Sequence, residues 1–185
     1  MPKQKKKFEA EIEIPQGCTF ALESKLIRVK GPKGEITRPT DDKKVIVKPE
    51  GNTINITYDK SGQREKKKLF TLVSHIKNML KGVQEGYNYK LKICSGHFPM
   101  AVTVKGDTYE VKNFIGEKVP RTMKIPAGVK VTITAETINV DGIDKELTGQ
   151  TAAGIEKLTR RPGFDKRVFQ DGVYIIEKDG EKLKA

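Results

Sequence analysis

One segment of the chain occurs twice, and this repetition constrains the fold more than any other feature. The pattern Ile-Pro-x-Gly at residues 14–17 returns at residues 125–128, a shift of 111 positions. Further identities keep this shift: Ile27 and Ile138, Val29 and Val140, Gly31 and Gly142, Glu35 and Glu146, Thr37 and Thr148. Chance likeness between two turn segments is the alternative, but identities with one unchanging offset rarely arise from shared composition. We therefore predict a duplicated α+β unit.

The apolar pattern predicts short strands and two helices. Alternating residues, as at 12–14, 54–58 and 129–133, are typical of strands that bury one face. From Glu65, apolar residues recur at steps of three and four and predict a helix that ends near Gly82 and Gly86. A second helix is predicted over 148–160, where Pro162 and Gly163 follow it.

These elements together predict an α+β fold. It consists of two tandem similar domains, each an antiparallel β-sheet packed with one α-helix. We place a basic arm at 1–7, the N-terminal domain at 8–84, the C-terminal domain at 85–178 and a charged tail at 179–185.

The charge of the chain indicates a polyanionic partner. Lys and Arg number 36 against 24 Asp and Glu, a formal net charge of +12, and such an excess is best explained by nucleic acid. An anionic membrane surface is the weaker alternative, and no apolar run is long enough to span a bilayer. The lysine-rich start is followed by no apolar stretch, so it is not a signal peptide. Cys18 and Cys94 are interpreted as reduced core residues of a cytoplasmic protein.

Two clusters of cations are predicted to bind RNA phosphates. Arginine offers a planar fork that matches phosphate oxygens, so dense arginine favours RNA over a merely solubilising surface. The first cluster lies within residues 113–124, where Gly116 and Pro120 bound a loop, and the second lies at the exit of the second helix. The predicted residues are Lys118, Arg121 and Lys124 in the first cluster, and Lys157, Arg160, Arg161, Lys166 and Arg167 in the second.

No pattern of residues predicts catalysis, a metal or a cofactor. His75 lies beside a core-facing position of the first helix, and His97 lies in a loop where it could contact RNA or cap a turn. The two His and two Cys lack metal-ligand spacing, and no glycine-rich phosphate motif is present. A structural RNA-binding protein is the first hypothesis, a free regulatory RNA-binding module the second, and an enzyme the third.

Three stretches resemble a known family, the sixth protein of the large ribosomal subunit in its archaeal and eukaryotic form. They are residues 75–83 with 87–92, residues 113–118, and residues 167–175, of which the last is the most specific. The resemblance covers essentially the whole chain. The opening at 8–15 and the run at 149–153 resemble the archaeal members more than the eukaryotic ones.

The resemblance implies two similar α+β domains and binding to large-subunit rRNA. It places that contact near the sarcin–ricin loop and the base of the factor-binding stalk, with the C-terminal domain making the main contact. Neighbouring ribosomal proteins at the stalk base and nearby translational GTPases are the further partners it implies, in the cytoplasm. Phe169 and Tyr174 are expected to pack, and Asp171 to form a turn with Gly172, with base stacking as the alternative for the aromatic residues.

Overall fold

The chain forms two compact units that meet in sequence between Gly86 and Tyr87. We call them the N-terminal unit and the C-terminal unit. The computed structural model describes residues 8–23, 26–40, 45–58, 62–165 and 167–183. The predicted arm at 1–7 lies outside these residues, and the finer domain limits stay a prediction. No helix among the described residues is long and apolar enough to cross a membrane.

The N-terminal unit packs one helix against two antiparallel sheets. Its elements are β1 (Phe8–Glu13), β2 (Thr19–Glu23), β3 (Leu26–Gly31), β4 (Gly34–Pro39), β5 (Val45–Glu50), β6 (Thr53–Tyr58) and α1 (Gln63–Gln84). The strand orders are β1-β6-β5 and β2-β3-β4. Every second residue of β6 is buried, namely Ile54, Ile56 and Tyr58. Helix α1 packs against strands of both sheets, and its buried face includes Leu69, Val73 and Ile76.

The C-terminal unit contains a five-stranded and a three-stranded antiparallel sheet. Its elements are β7 (Tyr87–Cys94), β8 (Ala101–Lys105), β9 (Thr108–Lys112), β10 (Arg121–Lys124), β11 (Val129–Thr134), β12 (Thr137–Gly142), α2 (Lys145–Leu158), β13 (Gly172–Lys178) and β14 (Glu181–Lys182). The strand orders are β11-β12-β7-β13-β14 and β10-β9-β8. Helix α2 contacts strands of both sheets, and Leu91, Ile138 and Ile155 are fully buried between them.

The predicted fold class is confirmed, with one refinement. Among the described residues each unit has one α-helix and antiparallel strands, but the strands form two sheets rather than one. Six or more strands in one open sheet would leave much of an apolar face uncovered by a single helix, whereas two sheets can enclose it. Cys18 and Cys94 are free thiols, as expected, but both are half-buried rather than core residues.

The repeated segment forms the same structure in both units. Gly17 and Gly128 have φ angles of 84° and 89°, a left-handed conformation in which glycine is favoured. After each glycine, the next amide donates to the proline carbonyl, Cys18 to Pro15 and Val129 to Pro126. Strands β3 and β12 begin and end at the same shift of 111. Their inward residues, Ile27 and Val29 against Ile138 and Val140, are all 0% exposed.

The structural likeness of the repeats ends at Gly31 and Gly142. The chain after Gly31 continues as β4, whereas the chain after Gly142 becomes α2. The matches of Glu35 with Glu146 and of Thr37 with Thr148 therefore join a strand to a helix and are wrong as structural equivalences. The physical reason is Asp144, whose carboxylate accepts a 2.8 Å hydrogen bond from the Glu146 amide and starts the helix. Helix α2 therefore begins three residues before the predicted Thr148.

Candidate nucleic-acid interface

The segment that carries the first cluster is not a single loop. It contains a 3-10 turn at Phe114–Gly116 and the strand β10. Arg121 and Met123 lie on the inner face of β10, whereas Thr122 and Lys124 are exposed on the other face. Since alternate residues of a strand point to opposite sides, Arg121 and Lys124 cannot approach one phosphate together. The three cations of this cluster do not share a direction.

Arg121 joins the two predicted clusters from within the protein. Its Nε and Nη2 atoms donate to the two carboxylate oxygens of Glu117 at 2.7 and 2.6 Å. Its Nη1 atom donates to the carbonyl oxygens of Leu158 and Arg160 at 2.6 and 3.2 Å. The guanidinium also lies 4.5 Å from the centre of the Phe114 ring. The planar fork of arginine suits this double role, and we call the arrangement the Arg121 clasp.

The clasp also perturbs the electrostatics of Glu117. Hydrogen bonds from Arg121 hold the pKa of the Glu117 carboxyl below its usual value, against a smaller opposing effect of burial. The side chains of Arg121 and Glu117 are 24% and 29% exposed. Arg121 is thus turned inward to bind carbonyl groups at the end of α2, and these contacts favour a positioning role over phosphate contact.

The end of α2 is held by Thr159. The helix ends at Leu158, and the Thr159 hydroxyl donates to the Glu156 carbonyl at 3.1 Å. The same hydroxyl accepts a 2.9 Å hydrogen bond from the Val173 amide in β13. Because Thr159 is buried, these bonds fix where the chain leaves the helix and enters the cationic segment. The predicted stop before Pro162 and Gly163 is confirmed, two residues earlier than expected.

The remaining predicted cations divide into unpaired and paired groups. The side chains of Lys118, Lys124, Lys157 and Arg160 are exposed, and within the described part of the chain none of them forms a hydrogen bond or an ion pair. Arg167 is 90% exposed but binds the Asp165 carboxylate at 3.0 Å, and its hydrogen bonds lower the pKa of Asp165. Lys166 lies outside the described residues. The exposed, unpaired cations are the ones best able to meet phosphate.

Asp171 ties the C-terminal signature to the loop after β7. Its carboxylate accepts hydrogen bonds from the amides of Gly96 and His97 and lies 2.6 Å from Nδ1 of the His97 ring. The carboxylate side chain is 3% exposed. Burial works to raise the pKa of Asp171, but the hydrogen bonds from His97 and Gly96 outweigh it and hold the pKa below its usual value. Asp171 therefore anchors the start of β13 to the loop after β7. The expected turn with Gly172 is wrong, because Gly172 is already the first residue of the strand β13.

A row of rings extends from this pair to the cationic segment. The His97 and Phe169 rings are 5.0 Å apart, and Phe169 meets Phe164 edge-on at 4.9 Å. The Arg161 guanidinium lies 4.4 Å from the centre of the Phe164 ring. Packing is the observed arrangement of Phe169, as expected, whereas Tyr174 on β13 is 39% exposed.

These features suit anion binding. Lys157 and Arg160 are exposed on either side of Leu158, the last residue of α2, which Arg121 binds. No group of His, Cys, Asp or Glu among the described residues could hold a metal ion. His97 is bound to Asp171, and His75 lies half-buried on α1.

The family model described as Ribosomal protein L6 matches the chain twice, over residues 14–86 and 98–172. The chain belongs to the ribosomal protein L6 family. The two matches fall in the two units and support the duplication read from the 111-residue shift. The resemblance to the large-subunit family is therefore confirmed, and this family is structural rather than catalytic.

Archaeal members of the L6 family are similar to nearly the whole chain. The protein of Sulfurisphaera tokodaii named Large ribosomal subunit protein uL6 is 45% identical over 170 residues, covering 91% of each chain. The uL6 of Saccharolobus solfataricus is 43% identical, over 91% of this chain and 94% of its own. That of Methanosarcina mazei is 40% identical, over 94% and 98% respectively. The archaeal character expected from residues 8–15 and 149–153 agrees with these relatives.

The contacts by which Glu117, Phe164 and Asp171 shape this L6 surface are not predicted by the sequence patterns, although Asp171 itself is expected to form a turn. Glu117 and Asp171 hold the two segments in place, and Phe164 supports Arg161. Local spacing could have indicated only the contact of Glu117 with Arg121, because these residues are four positions apart. His97 and Asp171 are 74 positions apart, so only the tertiary structure brings them together.

Proposed function

We propose that this chain is a structural component of the large ribosomal subunit in the cytoplasm. It binds large-subunit rRNA through its C-terminal unit, near the sarcin–ricin loop and the base of the factor-binding stalk. Neighbouring ribosomal proteins at the stalk base are its protein partners, and translational GTPases dock nearby. The name and coverage of its relatives support the ribosomal assignment.

One observation carries the assignment of the interface: the Arg121 clasp holds the two cationic segments together in the C-terminal unit. Lys118 follows Glu117, and Lys157 and Arg160 flank Leu158, so these exposed cations adjoin residues that the clasp joins. RNA binding by such cations releases counterions from the phosphates. Shape and phosphate position, rather than base sequence, would then supply most of the affinity.

The predicted rRNA-binding residues differ in the contacts that they make within the protein. Lys118, Lys124, Lys157 and Arg160 are proposed to meet phosphates directly. Arg161 and Arg167 are proposed to do so from positions set by Phe164 and Asp165. Arg121 is proposed to position the segment that carries Lys118. Lys166 lies outside the described residues, and its proposed contact with phosphate rests only on its position in the sequence of the second cluster.

The test is rRNA binding by a triple variant, Lys118→Gln with Lys157→Gln and Arg160→Gln. Filter binding to large-subunit rRNA of the same organism, at several salt concentrations, gives the slope of log K against log salt. Each lost phosphate contact flattens this slope by roughly 0.7 to 0.9, so we expect a slope shallower by about 2 to 3. Hydroxyl-radical footprinting then places the contact, with protection expected at the sarcin–ricin loop and the stalk base.

The matched control is a double variant, Lys130→Gln with Lys178→Gln. Both lysines are exposed in the same unit, outside the two clusters. We expect its salt slope to change by less than 1 and its footprint to stay in place. A triple variant with the slope and footprint of the unaltered protein would remove the proposed interface. A persistent pool of protein free of large subunits, in sedimentation at high salt, would instead favour the regulatory module.

A further inference from the structure

A cavity of about 550 Å³ opens beside the end of α2 in the C-terminal unit. Its walls include Glu156, Arg160, Arg161, Phe164, Phe169 and Tyr174, and we call it the aromatic pocket. Small-molecule sites usually have volumes of roughly 300 to 1,000 Å³, so one nucleobase with part of its sugar fits the available space. The pocket lies within the interface already proposed, but phosphate binding does not explain its rings.

The rings of the pocket differ in how much surface they leave open. The Phe169 ring packs between the His97 and Phe164 rings, so it has a structural role within the unit. Tyr174 and Phe164 remain 39% and 37% exposed, and Arg161 lies on the Phe164 ring. Aromatic rings and arginine guanidinium planes are the surfaces on which proteins stack unpaired RNA bases. The pocket therefore offers stacking surfaces that the packing of this unit does not use.

The charges of the pocket distinguish a base from a phosphate. Among the described residues no cation pairs with the carboxylate of Glu156, which lines the cavity and would repel a phosphate placed inside. It can instead accept hydrogen bonds from an amino group, as carboxylates do from cytosine. Asp171 also lines the cavity, but its oxygens are bound by Gly96 and His97. Arg160 and Arg161 can receive the phosphate that flanks the base.

We infer that the aromatic pocket holds one unstacked rRNA base that carries an exocyclic amino group. Tyr174 and the Arg161–Phe164 pair stack on it, Glu156 accepts from its amino group, and Arg160 binds the adjacent phosphate. This inference rests on the proposed rRNA binding and deepens it, because it adds a base contact to a surface otherwise defined by charge. Adenine, cytosine and guanine meet the requirement, whereas uracil does not.

The test combines backbone and base probing of rRNA bound to the full chain. Hydroxyl radicals report backbone protection, and dimethyl sulfate with kethoxal reports the edges of unpaired A, C and G. Tyr174→Leu removes a ring but keeps an apolar side chain. We expect it to bind rRNA about tenfold more weakly and to restore the reactivity of one base at least fivefold. Backbone protection should persist at concentrations of the variant that saturate the RNA.

Two variants serve as controls. Tyr174→Phe keeps the ring and should keep the base protected. Phe70→Leu removes a ring that is 49% exposed in the N-terminal unit, and it should leave that base protected as well. Thermal unfolding of each variant checks that the fold is retained.

Replacing the identified nucleotide by uridine tests the role of Glu156. The unaltered protein should then bind about tenfold more weakly, whereas Glu156→Gln should lose less than threefold from the same replacement. If Tyr174→Leu leaves every base as protected as before while the backbone footprint persists, the pocket inference is overturned and rRNA binding stands. If the unaltered protein gives no backbone footprint, rRNA binding itself fails, and the pocket inference fails with it.

Discussion

Arg121 and Leu158 are 37 positions apart, and the Arg121 Nη1 atom donates to the Leu158 carbonyl oxygen at 2.6 Å. This bond fastens the strand β10 to the last turn of α2. The last carbonyl groups of a helix have no hydrogen-bond partner within the helix and carry a partial negative charge. A guanidinium that binds them therefore satisfies these acceptors and interacts favourably with the helix dipole. The cationic surface of the C-terminal unit is therefore held in place by one of its own cations.

Removing this clasp should destabilise the unit. We expect Arg121→Met to lower the free energy of unfolding by about 2 to 4 kcal/mol, because it leaves the Glu117 carboxylate and a helix-end carbonyl without their partner. Arg121→Lys should lose less, since an ammonium keeps the charge but cannot span both groups. Urea unfolding measures the difference. Arg167→Met is the control: its pair with Asp165 is exposed and screened by solvent, so its loss should destabilise the protein far less. Equal losses in the two Met variants would contradict the clasp.

Asp171 should make stability depend on acid pH. The pKa of the Asp171 carboxyl is lower in the folded protein than in the unfolded chain. The stabilisation by the ionised carboxylate is therefore fully present above the unfolded pKa of about 3.9, and it is lost as the pH falls through the folded pKa. We expect Asp171→Asn to lose about 1 to 3 kcal/mol at pH 7, with the gap from the unaltered protein narrowing below about pH 4. Urea unfolding at pH 7, 5, 4 and 3 measures this gap. Asp107→Asn, at an exposed turn, should change stability by less than about 0.5 kcal/mol. A gap that stays constant down to pH 3 would exclude this role.

The Tyr109 hydroxyl should be dispensable for stability. Tyr109 is fully buried, and its hydroxyl oxygen has no hydrogen-bond partner among the described residues. Burial raises the pKa of this phenol strongly. We expect Tyr109→Phe to leave the free energy of unfolding unchanged or to raise it by up to about 1 kcal/mol, because it removes an unsatisfied polar group. Tyr109→Leu should lose about 2 to 4 kcal/mol through the cavity it creates. A loss above about 1 kcal/mol in the Phe variant would show that the hydroxyl has a partner after all.

A side chain at Gly31 or Gly142, the last glycines of the repeated segments, should destabilise the protein. A Cβ on Gly31 would lie 2.9 Å from the Val83 carbonyl oxygen, at the end of α1. A Cβ on Gly142 would collide with the Thr148 hydroxyl, which is buried and bonded to the Asp144 carbonyl at 2.6 Å. We expect each Gly→Ala variant to lose about 1 to 3 kcal/mol in urea unfolding.

A double-variant cycle separates the clash at Gly142 from other effects. Thr148→Ala removes the hydroxyl, so the added methyl of Gly142→Ala should cost at least about 0.5 kcal/mol less in the double variant than alone. Strictly additive losses would show that the close approach of helix and strand is not what selects glycine there.

Much of the fold could be read from local patterns. Strand alternation and the helical spacing of Leu69, Val73 and Ile76 predicted elements that the structure confirms. The start of α2 differs from the predicted one by three residues because Asp144 caps the helix. This signal is local, since Asp is a preferred residue at the start of a helix. The mismatch of Glu35 with Glu146 arose because identity at one offset does not distinguish a strand from a helix.

The candidate site was predictable only in outline. Charge density identified the segments around Arg121 and Arg160, but it could not show that Arg121 faces inward and Arg160 outward. That distinction depends on the strand register of β10 and on Glu117, which neutralises the inward guanidinium. The aromatic pocket was not predictable, because Glu156, Phe164 and Tyr174 come together only after β13 pairs with β7.

By itself the sequence determined the two-unit α+β plan, the family and the polyanionic partner class, since periodicity, repetition and net charge are properties of the chain read in order. Tertiary structure alone decided which cations are presented to a partner and which hold the protein together. The reason is physical: internal acceptors compete with phosphate for a cation, and an inward guanidinium whose donors they occupy is less available than an exposed one. That competition is settled by contacts such as Arg121 with Leu158, between residues far apart in the chain.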